Sequence, residues 1–87
     1  MKDWDTIPAS KKLAIRIKMA RVAADRGNGI TQEELGKRVG ELLKQPPFSQ
    51  KQVHLWEQTG NAPSCTVGAI AEATGFNMQF FSVLESV

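Results

Sequence analysis

Apolar residues recur along this chain at steps of three and four, and that spacing predicts helices from end to end. Leu13, Ile17, Ala20 and Ala24 share one helical face, and Leu35 and Val39 begin a second. Val53 and Trp56 mark a third, and Val67, Ile70 and Ala71 a fourth. No sustained alternation of apolar and polar residues occurs, so strands are not expected. The pattern predicts an all-α fold in a single domain spanning residues 1–87.

Start and stop signals divide the pattern into five helices. The first begins near Pro8, a residue suited to a first helical turn, and stops at Arg26 before Gly27-Asn28-Gly29. Thr31-Gln32-Glu33-Glu34 reads as a capping box, with Ile30 and Leu35 as its hydrophobic staple. Ser49-Gln50-Lys51-Gln52 repeats the box, with Phe48 and Val53 as the staple pair. Pro63-Ser64 opens the fourth helix, which Gly75 ends as a C′ glycine does. Asn77 caps the last, with Phe76 and Phe81 as its staple. The second helix is expected over about 32–44 with Gly40 inside it, followed by a stiff Pro46-Pro47 elbow that pushes Gln45 out of helical geometry. The third is expected over 50–58.

Composition narrows the chemistry. A chain of 87 residues with 41% apolar residues can form one compact core. It has no run of about 18 apolar residues to span a membrane, and its first residues lack the apolar stretch of a secretion signal. The lone Cys65 excludes an internal disulfide framework and fits a reducing compartment, so a cytoplasmic location is expected. Cys65 and His54 lack the spaced companions a zinc site needs, and no glycine-rich phosphate loop occurs, so neither an enzyme nor a cofactor or metal is expected. Net charge is only +2, but it is polarised. Residues 1–51 hold all eleven Lys and Arg against six acids, whereas residues 52–87 hold three acids and no Lys or Arg. One end of the molecule therefore suits an anionic partner.

Two short capped helices, with a small residue at Gly36 where they cross, are the parts of a helix-turn-helix. Thr31-Gln32-Glu33-Glu34-Leu35-Gly36 and Phe48-Ser49-Gln50-Lys51-Gln52-Val53-His54-Leu55-Trp56-Glu57 resemble the XRE and lambdoid phage repressor/Cro family. Pro63-Ser64 and Ile70-Ala71-Glu72-Ala73-Thr74-Gly75-Phe76 extend the resemblance, which covers roughly residues 13–81. It implies a five-helix, lambda-repressor-like domain with a lengthened turn between helices two and three. This chain departs from the family at that turn, where about seven extra residues, Glu41 to Pro47, intervene. Four or so more lengthen the junction around Asp25 to Asn28.

The resemblance makes the helix opening at Ser49 a recognition helix for double-stranded DNA. Gln50, Lys51, His54 and Leu55 are then the base-reading candidates. Gln50 matches adenine, Lys51 guanine or a phosphate, and Leu55 a thymine methyl, while His54 suits a base edge or a phosphate. Phosphate candidates are Gln32, Ser49, Gln58, Asn61, Arg21 and Lys44. Gln32 is expected also to brace Gln50, and Arg21 to pair with Glu57. The family's commonest use implies a repressor of bacterial or phage origin, binding a palindromic operator as a homodimer through its C-terminal region. The alternative is a protein-interaction or antitoxin-like module on the same fold, with Phe80, Phe81, Val83, Leu84 and Val87 as its partner surface.

Overall fold

The computed structural model describes residues 9–81, with the side chains of residues 9 and 10 left aside. These residues form α1 (Ala9–Ala23), α2 (Gln32–Leu42), α3 (Gln50–Thr59), α4 (Ser64–Thr74) and a closing 3₁₀ turn, Met78–Phe81. Among the described residues the fold is all-α, as the spacing predicted, and no helix is long and apolar enough to cross a membrane.

α1 packs chiefly along α3, while α2 lies against both α3 and α4. Ile17, Ala20, Leu35, Val39, Val53, Trp56 and Ile70 form the centre of the core. Ala14, which the predicted stripe on α1 left out, is also wholly buried, as Ala20 is. The three staple pairs all join this cluster, with Leu35, Val53 and Phe81 buried and Ile30, Phe48 and Phe76 packed against them. Phe48 also sets its ring edge-on to Trp56 at 5.0 Å.

Caps fall where the boxes placed them. Thr31 Oγ1 accepts from the Glu34 amide at 3.0 Å, and Ser49 Oγ from the Gln52 amide at 3.2 Å. The reciprocal partner differs, because the Glu34 carboxylate accepts from Arg38 Nε at 2.9 Å. Gly60 and Gly75 end α3 and α4 in left-handed conformations.

Two helix ends differ from expectation. α1 stops at Ala23, not Arg26, because Asp25, Arg26 and Gly27 all take positive φ. The Gly29 and Ile30 amides then return to the carbonyls of Ala24 and Arg21, satisfying the end of the helix. α2 stops at Leu42, two residues before Lys44. Lys44 is left-handed, and the Gln45 amide reaches back to the Gly40 carbonyl while that of Lys44 reaches Glu41. This is a Schellman closure with lysine where glycine is usual. It turns the chain so that Gln45, Pro46 and Pro47 lie on Gly40, where a Cβ would stand 2.8 Å from the Pro46 carbonyl oxygen. The expected fifth helix is, as far as Phe81, a single 3₁₀ turn. Asn77 Oδ1 accepts from the Gln79 amide and the Asn77 carbonyl from the Phe80 amide, and these short loops wind tighter than an α-helix. Val83, Leu84 and Val87 lie outside the described residues.

Candidate nucleic-acid interface

The crossing of α2 and α3 is set by Gly36. Its carbonyl accepts from the Phe48 amide at 3.2 Å, and the Phe48 carbonyl occupies the space a Gly36 side chain would need. The seven residues from Glu41 to Pro47 thus leave and rejoin α2 without disturbing the contact that orients α3.

α3 has two faces. Val53, Trp56 and Glu57 are buried, whereas Gln50, Lys51, His54, Leu55 and Gln58 are exposed. All four base-reading candidates therefore stand on the open side, and Leu55 keeps 43% of its surface in contact with solvent. An isolated apolar side chain so exposed on a polar face is ordinary on its own. It gains interest here from the polar residues that flank it.

A connected polar cluster holds this face from behind. Arg21 donates through Nε to Glu57 Oε2 at 2.5 Å, through Nη2 to Glu57 Oε1 at 3.2 Å and through Nη1 to the Ile30 carbonyl at 2.8 Å. The side chains keep 15% and 3% of their exposure, so this pair is shielded and geometrically fixed by its two-pronged contact. Glu57 also accepts from Gln32 Nε2 at 3.1 Å. The same nitrogen lies 3.4 Å from His54 Nδ1, and Gln32 Oε1 accepts from Gln50 Nε2 at 3.4 Å. The expected Arg21–Glu57 pair and Gln32–Gln50 brace are both present, linked through Glu57 into one chain from α1 to the exposed end of α3.

The remaining candidates are less closely joined. Ser49 caps α3, and Gln58 is exposed on its last turn, where its carbonyl accepts from Lys11 Nζ at 3.4 Å. Asn61 is exposed in the loop beyond, its amide held by Thr59 Oγ1 at 3.2 Å. Lys44 is not brought to this group. It lies beyond the far end of α2, which itself carries the chain about 15 Å from Gln32 to Leu42 at 1.5 Å per residue. Arg21 is turned inward, each of its three guanidinium nitrogens donating within the protein.

Arg38 is a residue the motifs did not single out. It donates to both Asp25 carboxylate oxygens at 3.0 and 3.1 Å, to Glu34 and to the Ala73 carbonyl, joining α2 to the left-handed loop and to α4. The Asp25 carboxyl titrates below its ordinary value, chiefly because Arg38 hydrogen-bonds its ionised form, and Arg38 is raised in turn. The four-residue step from Glu34 to Arg38 was the signal in the sequence that could have found it. No protein-family model, curated protein or solved structure matches the chain.

Proposed function

We propose that this protein is a sequence-reading DNA-binding domain of the helix-turn-helix type, resembling the XRE and phage repressor/Cro family and acting as a transcriptional repressor. The observation that carries the reading is the braced, exposed face of α3. Gln50, held by Gln32, stands at the N-terminal end of that face beside Lys51, with His54 and Leu55 one turn on.

Each property of the face has a use in a major groove. An α-helix fits that groove with its first residues toward the base edges. A side-chain amide presents a donor and an acceptor together, as adenine requires, and the brace removes rotamers that Gln50 would otherwise lose on binding. Gln32, Ser49, Gln58 and Asn61 surround the face with neutral donors suited to phosphate oxygens. Arg21 acts as a positioning residue, because its pairing with Glu57 fixes the angle at which α3 leaves the body of the domain. Two copies related by a two-fold axis would read the halves of an inverted repeat.

The test is selection of bound sites from a random duplex pool, followed by binding of the recovered site to Gln50→Ala and Lys51→Ala variants. An enriched inverted repeat, with weaker specific binding by both folded variants, supports the proposal. An unenriched pool, or a recovered site bound equally by both variants, overturns it in favour of a protein-interaction module.

A further inference from the structure

Gln32 stands between three partners, and together they leave its side-chain amide one orientation. The ionised Glu57 carboxylate only accepts hydrogen bonds, so the amide atom 3.1 Å from its Oε1 is the nitrogen. The opposite orientation would set the Gln32 oxygen against a buried carboxylate, acceptor facing acceptor. The second hydrogen of that nitrogen is left for His54 Nδ1, 3.4 Å away. Gln32 Oε1 meanwhile accepts from Gln50 Nε2 at 3.4 Å. Both amide hydrogens and the amide oxygen of Gln32 are thereby engaged.

We propose that this arrangement fixes the tautomer of His54 and, through it, makes His54 a reader of guanine. A ring nitrogen that faces an N–H must present a lone pair, so neutral His54 carries its proton on Nε2. Nε2 is the ring nitrogen farther from the backbone, and the side chain is exposed on the outer face of α3. His54 therefore offers a donor, and no acceptor, to whatever α3 meets.

The choice of base rests on the DNA-binding reading of α3 and follows from the edges that a major groove displays. Guanine presents two acceptors, N7 and O6, with no donor beside them. Adenine sets an amino group next to its N7, cytosine presents an amino group, and thymine sets a methyl group beside its O4. A lone N–H donor is matched best by the guanine edge. Gln50 differs, because after its bond to Gln32 it keeps one amide hydrogen and its oxygen, the pair that adenine requires. His54 follows Gln50 by four residues, about 6 Å along α3, which corresponds to less than two base-pair steps. The two residues thus give α3 different bases to read at neighbouring positions.

His54 is the only histidine of the chain, so its ring nitrogens give an unambiguous NMR signal. The tautomer is tested on the full ¹⁵N-labelled chain without DNA, at about pH 9, where imidazole is neutral. Long-range proton–nitrogen spectra are expected to show Nε2 protonated and Nδ1 bare, and Gln32→Leu is expected to let the other tautomer appear. A protonated Nδ1, or populations unmoved by Gln32→Leu in a folded chain, overturns the fixed tautomer whether or not the protein binds DNA. The base is tested on duplexes recovered by selection. His54→Ala is expected to relax a preference for guanine at one base pair by about 3- to 10-fold, the worth of one hydrogen bond. Relaxation at an A·T pair, or an equal loss for every sequence as a phosphate contact would give, overturns the assignment of guanine. An unenriched pool overturns the DNA-binding reading and the base with it, while the tautomer is decided by its own spectra.

Discussion

Lys44 holds a left-handed backbone, with φ of 57°, at the closing position of α2. A side chain there crowds the following carbonyl at a cost of about 1–2 kcal/mol, whereas glycine does not. Glycine loses more freedom on folding, which offsets part of the gain, so Lys44→Gly is expected to raise stability by about 0.5–1 kcal/mol. Urea denaturation checks this, and Lys44→Ala, which keeps the crowding, is expected to show no such gain. The position shows what single residues disclose. Pro46-Pro47 announced an elbow in the sequence, and its proline chemistry is local. That the helix closes at Leu42 was not legible, because a lysine gives no local sign that it will accept a left-handed turn. The reason lies in the hydrogen bond from Gln45 to Gly40 and in the packing of the prolines on that glycine.

Among the elements, the Arg21–Glu57 pair fastens α1 to α3, and both side chains are largely shielded. Removing one partner of such a pair leaves the other charge without its complement, at a cost of about 3–5 kcal/mol for fully buried pairs. Glu57→Ala is therefore expected to lower stability by about 3 kcal/mol or somewhat less, since Arg21 keeps its bond to the Ile30 carbonyl. Glu57→Gln, which keeps an acceptor for Arg21, is expected to lose less, and paired urea curves decide the order. Arg38 fastens α2 to the 25–28 loop in a pH-dependent way. The folded pKa of Asp25 lies below its ordinary value of 3.8, so its stabilising contribution is present above that value and is lost as pH falls through the lower, folded one. The denaturation midpoints of the protein and of Asp25→Asn are expected to differ at neutral pH and to converge as pH falls below 3.8. A gap that persists in acid would show that Asp25 acts through its left-handed backbone and not its charge. The helix starts were legible because a capping threonine or serine acts on an amide three residues away. The α1 stop was not, since neither Asp25 nor Arg26 announces the left-handed backbone that both take.

For the whole molecule, the proposed interface surrounds α3 mainly with neutral donors, with Lys51 as the cation on its face. Each cation that neutralises a phosphate adds about 0.9 to the slope of log affinity against log salt. Lys44→Gly is expected to leave that slope unchanged for the selected site, because Lys44 stands beyond the opposite end of α2 from Gln32. A drop of about one would place a phosphate at the elbow and extend the interface along α2. Polarised charge in the sequence pointed to an anionic partner. The positions of those charges tell more, since Arg21 and Arg38 make internal ties.

The sequence by itself determined the all-helical character, the starts of α2, α3 and α4, and the polar residues on the outer face of α3. These follow from periodicity and capping, which act over three or four residues. Tertiary structure alone decided how Gly36 and Phe48 set the crossing, and how Arg21, Glu57, Gln32 and Gln50 join. The physical reason is common to all of these: each depends on atoms brought together from distant parts of the chain, and a side chain's donors, volume and charge do not state in advance which partner they will meet.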